Sequence, residues 1–502
     1  MVTDRARTVK WNLFFHYASI LIMMISGVFL VPLYLHHISL GLYGAWLATG
    51  NILLWLTAVD PGLSAILQQR IAAAYGRSDV LSLGEFIFAG LLLSACIALF
   101  LIALGSFAAP YVPTWVNVDG EGDKSILIQA FQIAIIGSSL QIFAYAITSI
   151  NQGLQSSVGI GVVYVIVHVL DILLIIYLLN SGFGLMALAY SALLRGFGMI
   201  VGNIIYLFWR LHHEKIALKF SLQKVRELSV LMQFTFLSQS SGIVSNNIDA
   251  FITARFLGAD IVPMLALTRK AFEISRMIIS RPLMAVMPSL SHLLGEGGVE
   301  RSRTLLVRLL RMMIWLMLLV AGGLISLNEE FVRFWVGASL YAGNNINMLL
   351  CLGLVLGITI TSLSNLCIAL GDIKGSNKAI FFQSIIFIGL LIAGGKFAGL
   401  MGIVWAPILS ILLAGIWYFP RSLVHILHLR WSEQRLILSE FFRAFFAAMI
   451  VSGVFIFIHA DSLGDFIIQV VLFTVMYGFI LGLISPFFRY ECNGFYRSFR
   501  AN

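Results

Sequence analysis

Residues 268–290 read TRKAFEISRMIISRPLMAVMPSL. The stretch is long enough to cross a bilayer, for which a helix of about 20 mostly apolar residues suffices. Yet it carries Arg269, Lys270, Glu273, Arg276 and Arg281. Whether it crosses decides on which side of the membrane every later segment lies.

The rest of the chain supplies the frame. Its 502 residues are 60% hydrophobic and only 11% charged, too little polar surface for a water-soluble globule of this size, so it reads as an integral membrane protein. Apolar stretches recur at 11–34, 41–59, 84–107, 126–150, 158–179, 183–208, 229–257, 262–290, 305–327, 345–370, 379–395, 399–419, 440–459 and 465–486. Arg5, Arg7 and Lys10 precede the first, but its apolar run is too long for a signal peptide and VPLYLHHI (31–38) offers no cleavage site.

Lysine and arginine accumulate in short cytoplasmic loops, which tests this series. With the N-terminus inside, the cytoplasmic segments gather Arg70 and Arg77, the basic run from Arg210 to Arg226, Arg301 to Arg311, Lys374 and Lys378, Arg421 to Arg443, and the C-terminal arginines. The opposite loops hold only Lys124, Arg333 and Lys396, beside the acidic runs VDGEGD (118–123) and NEE (328–330). If 262–290 did not cross, every basic loop from Arg301 onward would face outward. The charged stretch therefore crosses, and both termini are expected in the cytoplasm.

The positive charge thus follows topology rather than a stripe with stacking aromatics, which argues against a nucleic-acid partner. Cys96, Cys351, Cys367 and Cys492 form no Cys-x-x-Cys pair, and no phosphate-binding glycine loop or metal-ligand cluster is present in the sequence. No metal, other cofactor or ATP hydrolysis is therefore expected.

GLMALAYSALL (184–194) can be laid on GLMGIVWAPIL (399–409) at an offset of 215, and Gly153 of NQGLQSSVG on Gly371 of ALGDIKGSN at 218. Spans five and six thus correspond to eleven and twelve, in the same orientation. The expected fold is all-α and polytopic, with about fourteen transmembrane helices in two six-helix lobes around a central cavity. The lobes are 1–208 and 229–419, joined by a basic cytoplasmic linker, 209–228, and followed by an extra helix pair and tail, 420–502.

Charge inside a membrane is costly and therefore a functional signal. On a helix of about 100° per residue, Arg269, Lys270, Glu273, Arg276 and Arg281 share an arc of roughly 140°. Glu273 is spaced to pair with Arg269 and Arg276, which leaves an excess of positive charge suited to an anion. The other reading has Arg269, Lys270 and Arg281 snorkelling to the two interfaces.

Other polar positions add to the picture. Ser238, Ser241, Ser245, Asn246, Asp249 and Thr253 fall on one side of the seventh span, a surface suited to water or sugar hydroxyls, or to helix packing. Asp60, before Pro61, is a candidate ion or proton site or a helix cap. His168 and Asp171, three residues apart, are a candidate proton relay or a structural pair. Arg195 is a second candidate anion contact, and His16 a weak candidate.

LGLYGAWLATGNILLWLTAVDPGLSAILQQRIAAAYGR (40–77), NNIDAFITARFLGADIVPMLALTRK (246–270) and LMAVMPSLSHLLGEGG (283–298) resemble Wzx-type polysaccharide flippases of the multidrug/oligosaccharidyl-lipid/polysaccharide exporter superfamily. The resemblance covers nearly the whole chain. It implies a multi-pass protein of the bacterial inner membrane that moves undecaprenyl-pyrophosphate-linked oligosaccharides outward, in O-antigen or exopolysaccharide synthesis, by alternating access.

On that reading the substrate's anionic headgroup and glycan would meet Arg269, Lys270, Arg276, Arg281 and Arg195, and Ser241, Ser245, Asn246 and Glu273 would form a polar face. H+ or Na+ would be coupled through Asp60, Asp171, Asp249 or His168. The partners implied are the lipid-linked glycan, the coupling ion, the phospholipid bilayer and a glycan polymerase. The competing readings are an organic-cation antiporter of the same superfamily and, less well matched, a membrane glycan polymerase or glycosyltransferase, which should show acid, base or metal-ligand sets on sizeable outer loops.

Overall fold

The computed structural model describes residues 25–57, 62–154, 157–232, 248–280 and 299–501, together with Phe15, Leu21, Ile22 and Leu283. These residues form helices and connecting turns, with no strand among them. Ten of the helices are long and apolar enough to cross a membrane. They coincide with the third to sixth and ninth to fourteenth expected spans; the other four spans run partly through residues outside the description. The chain divides into two compact units, 1–263 and 264–502.

The first unit contains α1 (Ile25–His37), α2 (Leu40–Thr57), α3 (Leu63–Gly76), α4 (Val80–Ala108), α5 (Glu121–Gly153), α6 (Ser157–Asn180), α7 (Met186–His213), α8 (222–232) and α9 (Asp249–Leu257). Asp79 caps α4 by accepting from the Ser82 amide at 3.0 Å, supplying one acceptor for the unpaired amides of a first turn. Its carboxyl is held below the ordinary aspartate range by hydrogen bonding to Ser82, first its side chain and then its amide. Helices α5 and α7 approach closely, so that a Cβ on Gly137 would run into the backbone of Ala192 and Leu193. At the cytoplasmic end expected from the charge distribution, Leu67, Ile71, Ile87, Ile147 and Ile150 form a closed apolar layer.

The second unit contains α10 (Ile261–Thr268, which begins just before it), α11 (270–280), α12 (Val299–Val336), α13 (Asn344–Ala369), α14 (Ile373–Phe397), α15 (Gly399–Leu427), α16 (Trp431–Phe455), α17 (Leu463–Ile484) and α18 (Pro486–Ala501). At 1.5 Å per residue the 38 residues of α12 extend about 57 Å, more than the ~30 Å of hydrocarbon, so part of the helix must stand in water. Helix α15 contains a π turn, Ile411–Gly415, between Pro407 and Pro420. Such a turn accommodates an extra residue within a helix.

The duplication is visible in side-chain chemistry. In the first unit the Asn151 amide donates to the Asn203 carbonyl at 3.1 Å. At positions 216 residues later, the Cys367 thiol donates to the Phe419 carbonyl at 3.7 Å. Gly137 against Ala192 is likewise matched by Gly353 against Ile408. Equivalent helices of the two units therefore meet at equivalent residues.

The last helix pair is fastened to α12 at both ends. At one end the fully buried Glu440 accepts from Arg311 at 2.9 Å, from Trp315 Nε1 at 2.8 Å and from the Ser485 hydroxyl. At the other, Glu330 accepts from the Ala460 amide at 2.7 Å, and Arg333 donates to the Ala460 carbonyl at 2.5 Å. Between them the Ser452 hydroxyl donates to the Gly322 carbonyl at 2.9 Å. This arrangement requires α12 and α16 to run parallel and α17 to return antiparallel to both.

Candidate functional site

The charged stretch is not one continuous helix: its hydrogen bonding is interrupted at Thr268–Arg269, between α10 and α11. The Arg269 amide still donates to the Leu265 carbonyl at 3.0 Å, and the Glu273 amide to the Arg269 carbonyl at 3.1 Å. The Thr268 carbonyl at the break accepts instead from Asn328 Nδ2 at 3.0 Å, and the Thr268 hydroxyl accepts from the Ala342 amide at 2.9 Å. Asn328 also donates to Asn347 Oδ1 at 2.9 Å, and Asn347 in turn to the Leu324 carbonyl at 2.8 Å. Thr268, Asn328 and Asn347 are essentially inaccessible to solvent, so their polar groups pair with one another and with nearby backbone, leaving Asn328 Oδ1 without a partner among the described residues. The knot replaces the hydrogen bonding that an unbroken helix would have supplied.

From this break the cations are laid out in two groups. Arg269 Nε donates to Glu273 Oε1 at 3.1 Å, the pairing expected from their spacing, and Lys270 Nζ lies 3.8 Å from Glu273 Oε2. Arg276 was expected as the other partner of Glu273. It reaches across to α13 instead, donating from Nη2 to Thr361 Oγ1 at 3.2 Å. Among the described residues it makes no ion pair, and its side chain stays largely exposed. Long side chains one turn apart compete for one carboxylate, and the two on the N-terminal side of Glu273 occupy it.

Beside Arg276 a narrow cleft of about 20 Å³ is lined by Ser280, Leu283, Thr361, Ser362 and Asn365. The opposite face of α11 is apolar, as expected: Phe272 and Ile279 join the core of the unit, as does Leu283 beyond the helix, while Ile278 is exposed.

The first unit holds its own polar cluster. Asp171, on α6, is buried; it accepts from the Ser191 hydroxyl of α7 at 2.5 Å and lies 3.6 Å from Arg195 Nη1. Tyr34 lies within electrostatic reach of both charges. His168 is placed otherwise: its Nδ1 lies 2.9 Å from the Tyr164 carbonyl, and its ring stacks on Tyr164 at 3.8 Å. The structure thus brings Asp171 together with Arg195, two residues the sequence had suggested for separate roles. Phe387 and Ile411 stand 216 residues after Asp171 and Arg195, so the cluster has no counterpart in the second repeat.

Asp249 opens α9, its carbonyl accepting from the buried Thr253 hydroxyl at 2.7 Å. Asp60, Ser238, Ser241, Ser245, Asn246, Arg281 and His16 lie outside the described residues. No group of three or more potential metal ligands occurs among the described residues. Sequence reasoning missed Thr361, Asn365, Asn328 and Glu440. Thr361 and Asn365 carried a legible signal, since ITITSLSN (358–365) interrupts an apolar span with polar residues at helical spacing.

With this geometry in hand, the chain can be set beside known structures. The lipid II flippase MurJ in an inward closed conformation superposes with a TM-score of 0.71 at 14% identity, over 94% of this chain and 98% of that one. An inward-facing multidrug resistance MATE family transporter of the MOP superfamily gives 0.66 at 17% identity, over 80% and 94%. A MATE structure in a bent conformation gives 0.58 at 16%, over 88% and 100%.

The class is therefore that of multi-pass membrane proteins with the MOP-superfamily transporter fold. Residues 85–342 match the family described as Polysaccharide biosynthesis protein, and the chain belongs to that family. No curated protein matches its sequence.

Proposed function

We propose that the protein is a flippase that carries undecaprenyl-diphosphate-linked oligosaccharides from the cytoplasmic to the external leaflet of a bacterial inner membrane. It does so by alternating access, with both termini in the cytoplasm and the segments 1–208 and 229–419 acting as the two lobes. One observation carries the reading: the start of α11 presents Arg269, Lys270 and Arg276 against a single carboxylate, Glu273, which its two neighbours already engage. A membrane-embedded site with net positive charge favours an anion, and a diphosphate accepts several charge-assisted hydrogen bonds at once.

Transport needs an energy source. A carboxylate buried beside an arginine, as Asp171 is beside Arg195, can change protonation state with the exposure of its surroundings. H+ or Na+ antiport through Asp171, Asp60 or Asp249 is the proposed drive. The same buried Asp171 favours the second reading, an organic-cation antiporter, because a carboxylate is what a cationic substrate would seek.

Binding separates the two. The purified protein is offered a polyprenyl-diphosphate glycan and an organic-cation drug, as wild type and as Arg276→Ala. Binding of the anionic lipid that the substitution weakens supports the flippase. Binding of the organic cation alone replaces it with the antiporter.

A further inference from the structure

We infer that Thr361 and Asn365 of α13 form the uncharged, hydrogen-donating wall of the anion site that Arg276 anchors, and that this wall takes oxygens of a diphosphate. The inference deepens the flippase reading and rests on it. Residues 361 and 365 are four apart on one helix, within about 40° of the same face, and both line the cleft beside Arg276. Thr361 Oγ1 accepts from Arg276 Nη2; a hydroxyl that accepts from a guanidinium keeps its own proton for another acceptor.

The Asn365 amide makes no hydrogen bond among the described residues and has two protons to donate. Ser280, across the cleft, has already given its proton to the Met277 carbonyl at 3.1 Å. The donors left for a ligand are therefore the remaining N–H groups of Arg276 with Thr361, Ser362 and Asn365, and the cleft's lining contains no carboxylate. A carbohydrate hydroxyl would find acceptors here in the Ser and Thr hydroxyls and the Asn365 carbonyl, but it would leave the charge of Arg276 without a counter-ion. A diphosphate, which only accepts when ionised, matches the set.

Thr361 has a second effect. By holding the guanidinium against α13 it fixes an otherwise rotatable side chain before the anion arrives, which lowers the ordering cost of binding.

The test measures binding of undecaprenyl diphosphate to the full chain in nanodiscs of zwitterionic phospholipid, with inorganic diphosphate as competitor. The proteins are wild type, Arg276→Ala, Thr361→Val, Thr361→Ser and Asn365→Leu, each first shown to unfold at the wild-type temperature. Thr361→Val and Asn365→Leu are each expected to weaken binding about tenfold, the loss of one hydrogen bond to a charged group. Thr361→Ser should restore most of it, and inorganic diphosphate should compete.

Wild-type strength in both Thr361→Val and Asn365→Leu, with Arg276→Ala weakened, overturns this inference alone. So does a Thr361→Ser protein as weak as Thr361→Val, which would assign the loss to packing of the methyl group, or a failure of inorganic diphosphate to compete. No binding by the wild type overturns the flippase reading beneath it.

Discussion

Glu440 offers the sharpest energetic test of how the C-terminal helix pair is held. The carboxylate is wholly buried and satisfies Arg311, Trp315 Nε1 and the Ser485 hydroxyl. Arg443 lies further off, at 3.6 Å, with 38% of its side chain exposed. In Glu440→Leu the Arg311 guanidinium, 11% exposed, is left without its counter-ion, and two further donors lose their acceptor.

Removing one partner of a buried pair costs about 3–5 kcal/mol, while the half-exposed Arg443 adds at most about 1 kcal/mol. At ~2–4 °C per kcal/mol for a unit of this size, the unfolding temperature in detergent should fall by roughly 6–20 °C. The double variant Glu440→Leu/Arg311→Met should recover much of that loss, because an apolar pair of similar volume removes the stranded charge. The assay is thermal unfolding of Glu440→Leu, Arg311→Met and the double variant, compared as a double-mutant cycle. A loss under about 1 kcal/mol in Glu440→Leu, or a double variant as damaged as the sum of the singles, would refute the reasoning.

Other outcomes are expected elsewhere. Desolvation pushes the Asp372 carboxyl up, but hydrogen bonds from Tyr418, Ser422, the Gly375 amide and Ser376 outweigh it and hold the pKa below the ordinary range. Such a group stabilises the fold above its unfolded pKa, near about 4, and loses that contribution as pH falls through the depressed value. Asp372→Asn should therefore lower the unfolding temperature at neutral pH and flatten its fall on the acid side; an unchanged acid limb would contradict this. Gly137→Ala should destabilise by about 1–3 kcal/mol through backbone collision, whereas Gly353→Ala, whose nearest neighbour is 3.7 Å away, should be neutral or stabilising in the same unfolding assay. Asp171→Asn should abolish gradient-dependent flipping in proteoliposomes while passive exchange persists; full gradient dependence would move the coupling elsewhere.

The span count was legible because apolar runs of membrane length alternate with loops whose basic charge changes from side to side, and neither signal depends on contacts across the fold. The repeat was legible in GLMALAYSALL and GLMGIVWAPIL, and the matched bonds of Asn151 and Cys367 extend it. Partners far apart in sequence were not. Spacing alone gave Glu273 its Arg269, but could not tell that Arg276 would reach a threonine 85 residues away. Nor could it tell that Asn328 would take up the carbonyl of Thr268, 60 residues upstream of it. The last two spans read as simply apolar, yet Glu440 on the first of them is wholly buried and accepts three hydrogen bonds, from Arg311, Trp315 and Ser485.

The central claim is that the cations at the start of α11 carry a lipid-linked diphosphate. The direct measurement is flipping of a fluorescent polyprenyl-diphosphate oligosaccharide in proteoliposomes, by wild type and by Arg276→Ala at equal protein density. The account predicts flipping by the wild type and a loss of about tenfold or more in the variant. Equal rates in the two would contradict it.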